Sequence, residues 1–166
     1  MRVCRILIIG NSGAGKTTLA KHLAEKDGLA HLDLDNVAWE SSNPPKRAPF
    51  SQSTQKMEDF FSKNPHWVAE GCYHDLISYA AKQASKLYFL DIPIEECIEN
   101  ASNRPWEAHK YGSKEQQDAN LDMLIDWIKT YPSRSDEFSR TAHENLFIEF
   151  DGEKRLITHT LQLQAS

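Results

Sequence analysis

The run Gly10-Asn11-Ser12-Gly13-Ala14-Gly15-Lys16-Thr17 fits the pattern Gly-x-x-x-x-Gly-Lys-Ser/Thr, a pattern built for phosphate. Its glycines let the main chain wrap a phosphate closely, where side chains would collide. The loop amides, with a helix N-terminus behind them, offer several N–H donors and a partial positive charge to the anion. Lys16 brings a full charge to the outer phosphates, and the Thr17 hydroxyl is a ligand for Mg2+. The alternative is a glycine-rich turn that merely joins a strand to a helix. An apolar run before the motif and helical spacing after it argue against that. The expected nucleotide contacts are Gly10, Asn11, Ser12, Gly13, Ala14, Gly15, Lys16, Thr17 and Thr18.

A phosphate loop alone does not separate a switch GTPase, a motor ATPase and a small-molecule kinase. The chain has no Asn-Lys-x-Asp for guanine selection. Asp33 and Asp35 narrow the choice. Carboxylates at i and i+2 near a strand end point to one side. Beside a phosphate loop, Asp33 can hold Mg2+ or its water, and Asp35 can take the proton of a hydroxyl attacking the γ-phosphate. The bland reading is a solvated strand edge or a helix cap.

The elements needed to position these groups follow from hydrophobic spacing. Ile6 to Ile9 is a continuous apolar run, as in a strand covered on both faces. Leu19, Ala20, Leu23 and Ala24 recur at helical spacing, and Gly28 ends that helix. Strands are expected at 31–35, 66–70, 87–91 and 146–150. Helices are expected at 53–63, 74–84 and 94–103, with a Pro-rich loop at 40–50. Beyond Arg104 a polar, turn-rich stretch precedes an amphipathic helix lined by Leu121, Leu124, Ile125 and Ile128. A turn at Asp151-Gly152 and a short terminal helix close the chain. Strands alternating with helices imply right-handed crossovers and a mainly parallel sheet.

With Gly10 to Thr17, Asp33-Leu-Asp35, Arg104-Pro105 and Arg134, the chain resembles the nucleoside-monophosphate-kinase-like group of P-loop kinases, with shikimate kinase and adenylate kinase as relatives. Leu32-Asp-Leu-Asp-x-x-Ala-Trp39, Val68-Ala-Glu-Gly-x-Tyr73 and Arg104-Pro-Trp-Glu-x-His-Lys-Tyr111 also resemble bacterial proteins labelled "topology modulation protein". The resemblance implies an α/β three-layer sandwich with a five-stranded parallel sheet in the order 2-3-1-4-5. It further implies one P-loop NTPase domain over 1–166, a helical lid at about 104–120 and an acceptor-binding arm at about 39–61. Arg104 and Arg134 are then lid and lid-proximal arginines that close on the phosphates, with His109, Lys110 and Lys114 in the mobile lid. Where shikimate kinases place three glycines, this chain reads Glu70-Gly71-Cys72-Tyr73. Glu70 would repel an anionic acceptor; it can face Mg2+, read a hydroxyl or amine, or simply bond backbone amides. Asp91, after Leu87-Tyr-Phe-Leu90, imitates a second metal-side acid, although in such kinases it is usually structural. Trp39 and Trp106 are the aromatic residues nearest the expected acceptor and lid regions.

Composition sets the remaining bounds. The 166 residues carry a formal net charge of −5, and 40% are hydrophobic, so a core can form and an extended basic face for nucleic acid is not expected. Cys4, Cys72 and Cys97 are far apart and odd in number, which favours a reducing, cytoplasmic compartment. The apolar N-terminal run is too short to span a bilayer, and no membrane partner is expected. The reading is an ATP- and Mg2+-dependent kinase acting on a small hydroxylated or phosphorylated metabolite. Lys16, Asp35, Arg104 and Arg134 would be catalytic, Thr17 and Asp33 would be on the metal, and the protein would be a monomer or weak homodimer. The alternatives are a regulatory nucleotide-binding module with a protein or nucleic-acid partner, and a plain NTPase.

Overall fold

The computed structural model describes residues 2–42 and 44–160. Its elements run β1 (Arg5–Gly10), α1 (Lys16–Asp27), β2 (Ala30–Asp33), α2 (Asp35–Ala38), β3 (Trp39–Glu40), β4 (Lys46–Arg47), α3 (Phe50–Lys63), β5 (Trp67–Gly71), α4 (His74–Ala81), β6 (Lys86–Leu90), α5 (Ile94–Ser102), α6 (Lys114–Ala119), α7 (Leu121–Lys129), α8 (Arg140–Glu149) and β7 (Glu153–Ile157). Five strands form a parallel sheet in the order β2-β5-β1-β6-β7. Counted along the chain, this differs from 2-3-1-4-5 only through β3 and β4, which take the third and fourth numbers without entering the sheet. They pair as a small antiparallel hairpin where the sequence suggested a plain Pro-rich loop.

β1 shows why three layers form. Successive side chains leave a strand on opposite faces. Leu7 and Ile9 therefore join one buried cluster, with Trp67, Phe89, Met57, Leu76 and Leu146, under α3, α4 and α8. Ile6 and Ile8 join the other, with Leu19, Leu23, Cys97 and Ile128, under α1, α5 and α7. Each fully buried Leu or Ile contributes roughly 1.5–3 kcal/mol relative to exposure. Because the strands are parallel, their C-terminal ends share one edge, which is where such sheets bind ligands.

Three expectations are corrected. Residues 146–150 are not a strand: Leu146 to Glu149 finish α8, and Phe150 caps it. The Ser139 hydroxyl accepts the Ala142 N–H and starts that helix. His143, Leu146, Phe147 and Phe150 recur at helical spacing, and all pack into or against the core. The fifth strand is Glu153–Ile157, whose first four residues are exposed and so lack the apolar run used to seek it. Asp35, second, does not lie on β2 but opens α2. The short terminal helix expected after the Asp151-Gly152 turn is not found over Glu153–Ile157, which is the fifth strand; residues 161–166 lie outside the described residues.

Candidate active site

The phosphate-type loop joins β1 to α1 and is fastened from behind. Gly13 has φ +76°, and a Cβ there would sit 2.3 Å from the Cys97 carbonyl oxygen; Gly15 caps α1 at φ +93°. Only glycine meets both demands without strain. Asn100 Nδ2 donates to the Gly13 carbonyl at 2.9 Å, and Asn11 Nδ2 to the Ile128 carbonyl at 3.3 Å, so α5 and α7 hold the loop. Lys16 Nζ donates to the Asn11 carbonyl at 2.7 Å, which keeps its ammonium over the loop. Gly10, Ser12, Ala14 and Thr17 complete the same turn, while Thr18 is exposed on its outer side.

Carboxylates line the neighbouring strand ends. The Thr17 hydroxyl donates to Glu70 Oε1 at 3.0 Å, and Glu70 Oε2 lies 3.0 Å from His31 Nε2. Glu70 is only 3% exposed and sits beside Asp33 in the β2–β5 register. Asp33 Oδ1 accepts the Asp35 N–H at 3.0 Å, which explains the turn from β2 into α2. Its Oδ2 is buried and has no hydrogen-bond partner among the described residues. Burial, then the charges of Glu70 and Asp35, push the Asp33 carboxyl above its ordinary range. Asp35 accepts from the Tyr73 hydroxyl through Oδ1 and faces Lys110 Nζ at 2.6 Å through Oδ2. Burial works upward on Asp35 too, but Lys110, Tyr73 and Lys16 outweigh it and hold the carboxyl below the usual range. The Trp39 indole N–H donates to the Tyr73 oxygen at 2.9 Å and completes that wall.

The segment after α5 folds over these acids. Lys110 also lies 3.4 Å from Glu107 Oε2 and 3.6 Å from Asp33 Oδ2. Burial alone would lower its pKa; Asp35 and Asp33 raise it instead. Arg104 is held by Glu107 at 3.0 Å, within the lid itself. Arg134 lies flat over Trp127, 3.6 Å from the ring centroid, and donates to the Phe138 carbonyl; burial lowers its pKa. Lys16, Asp35, Lys110 and Arg134 all act electrostatically on the Cys72 thiol, which burial pushes up to about 11. Asp91, one residue beyond the Leu90 that pairs with Gly10, makes a two-point ion pair with Arg140 at 2.9 and 2.6 Å.

From sequence, Glu70 carries several alternative readings, and Lys110 and Tyr73 have no individual role. Glu70, rather than Asp33, touches Thr17. Lys110 neutralises Asp35, and Tyr73 orients it. Glu70 and Tyr73 stood in the Val68–Tyr73 stretch already noted. For Lys110 the only signal was membership of the lid, because its partners lie some 75 residues earlier and only folding joins them. Among the described residues no group of three His, Cys, Asp or Glu side chains is arranged to hold a metal alone. Thr17 and Glu70 do form a pair of hard oxygen donors at the loop. That donor set fits Mg2+, which keeps few protein ligands and takes the rest from water and phosphate.

A family model described as "AAA domain" matches residues 6–121. The uncharacterized protein YqaC of Bacillus subtilis (strain 168) is 26% identical over 146 residues, spanning 84% of this chain and 80% of that protein. A sugar kinase from Janibacter sp. HTCC2649 shares the fold with a TM-score of 0.52 at 11% identity, covering 95% of this chain and 86% of the other. Shikimate kinase from Bacteroides thetaiotaomicron matches with a TM-score of 0.50 at 16% identity over 87% and 94% of the two chains. The fold is thus that of P-loop kinases.

Proposed function

This chain belongs to the AAA domain family, and we propose that within it the protein is a kinase that moves the γ-phosphoryl group of ATP to a hydroxyl of a small metabolite. One observation carries the reading: the phosphate loop abuts the acids, since the Thr17 hydroxyl donates to Glu70 at 3.0 Å, Glu70 pairs with Asp33 in the β2–β5 register, and Asp33 accepts the Asp35 N–H. Lys16 and the loop amides bind and neutralise the phosphates. Thr17 and Glu70 would hold Mg2+, with Asp33 adding to the negative field that draws the ion. When bound, the ion neutralises charge on the phosphate oxygens. Asp35, held by Tyr73, orients the acceptor hydroxyl and takes its proton. Arg134 bonds the Phe138 carbonyl, and the Phe138 ring packs on Tyr73 at 5.5 Å, so a modest movement would bring Arg134 toward the phosphates. Arg104 reaches them only if the lid releases Glu107, after which it would neutralise the transferring group and exclude water. An arginine so placed contributes factors of about 10³–10⁵ in phosphoryl transfer. The three thiols are free, in keeping with a reducing cytoplasm.

Coupled detection of ADP across nucleosides, nucleotides, sugars, cyclic acids and amino alcohols tests the proposal. Acceptor-stimulated turnover is expected, falling at least about 100-fold in Lys16→Ala. Tight ATP binding with no acceptor-dependent turnover anywhere in the panel would overturn it in favour of a regulatory nucleotide-binding module.

A further inference from the structure

The acidic pocket beside the phosphate loop already seats an ammonium group. Lys110 Nζ lies 2.6 Å from Asp35 Oδ2, 3.4 Å from Glu107 Oε2 and 3.6 Å from Asp33 Oδ2, and Glu70 stands behind Asp33. A lid anchored by a lysine accounts for part of this arrangement. It does not account for Asp33, whose side chain is 8% exposed and whose Oδ2 has no hydrogen-bond donor. The nearest donors, Lys110 Nζ at 3.6 Å and His109 Nε2 at 3.7 Å, stand at ion-pair distance from Oδ2 but beyond hydrogen-bond length. Folded proteins seldom leave a buried acceptor orphaned, and the exceptions concentrate where a ligand completes the site. Lys110 thus satisfies Asp35 and falls short of the opposite wall.

The other walls repeat the preference. Trp39 presents a ring that is 40% exposed, edge-on to Tyr73, and an aromatic face beside carboxylates favours a cation or the C–H face of a saturated ring. Arg47, the cation on this side that could have greeted a phosphate or carboxylate, is taken up by Asp75 at 3.0 Å and Glu137 at 3.2 Å. At the seat itself the neighbours are the carboxylates of Asp35, Glu107 and Asp33, which attract an ammonium and repel a carboxylate or phosphate placed there.

We propose that the acceptor is a hydroxylated amine, whose ammonium group takes over the seat of Lys110 between Asp33 and Glu107 while its neighbouring hydroxyl meets Asp35. This rests on the kinase reading above and narrows it to a substrate class. In the step itself the acceptor oxygen bonds to the γ-phosphorus, the bond from that phosphorus to the β–γ bridging oxygen breaks, and ADP leaves with the electron pair. The hydroxyl proton passes to Asp35, and the ammonium keeps its protons.

Lys110→Ala vacates the seat and leaves its walls, with Lys110→Met as a second variant that keeps the stem. Ethylammonium chloride, compared with sodium chloride at equal ionic strength, should give saturable chemical-shift changes in these variants. The wild-type response should be at least about 10-fold weaker, because its own tethered lysine competes. Adding Glu107→Gln should weaken the variants' binding about 10-fold. Ethylammonium behaving like sodium in both variants would overturn the proposal. In turnover with ATP and Mg2+, amino sugars, aminocyclitols and amino alcohols should outperform their N-acetyl and carboxylate counterparts by about 10–100-fold in kcat/KM. Neutral or anionic acceptors that match the amines would overturn the proposal and leave the kinase standing. Ethylammonium binding without turnover of any acceptor would overturn the kinase reading, and the acceptor assignment with it.

Discussion

A single buried side chain, His143, ties the stability of the fold to pH. His143 is fully buried, with Nε2 2.8 Å from the Cys72 carbonyl and Nδ1 2.7 Å from the Tyr131 hydroxyl. A carbonyl can only accept, so Nε2 carries the proton and Nδ1 accepts from Tyr131. Burial pushes the ring's pKa down to about 4 from 6.5. The unfolded chain therefore binds the proton more tightly, and stability is lost as pH falls from about 6.5 towards 4, by up to roughly 3 kcal/mol. Thermal melts should show this acid-side loss in wild type and a flatter profile in His143→Gln; parallel profiles would contradict it. The phosphate loop was readable because its chemistry is contiguous in sequence. Neither His143 nor Lys110 was, since each acquires its role from residues that only the fold brings near.

At the level of elements, β1, α1, β2, β5, α4, β6 and α5 were legible within a few residues because each carries its own period of 2 or 3.6 and its own punctuation. The exchange of strand for helix at 146–150 has a plain cause: Leu-Phe-Ile-Glu-Phe is too short to separate the two periods, and the true edge strand Glu-Lys-Arg-Leu-Ile is mostly polar. Asp35 left the strand because the Asp33 carboxylate captured its N–H, a local competition that alternation alone does not reveal. The junction of loop and α5 carries its own prediction. Gly13→Ala must move the Cys97 carbonyl, 2.3 Å from the new methyl, and adopt a positive φ. It should cost roughly 1–3 kcal/mol in denaturant unfolding and weaken ATP binding as well. An unchanged midpoint would mean that α5 does not brace the loop as described.

Over the whole molecule, a three-layer body holds the phosphate loop against α5 and α7, and the segment after α5 is pinned across the acids by Lys110. Nucleotide binding should therefore stabilise the body as well as fill the loop: ATP with Mg2+ at 100 times its Kd should add about 2.7 kcal/mol to unfolding. Calorimetric titration of ATP with Mg2+ into wild type and Lys16→Ala tests the central claim most directly. Saturable one-site heat is expected in the wild type, with affinity roughly 10–100-fold weaker in the variant. Absence of binding heat in the wild type, or equal affinity in the two proteins, would contradict it.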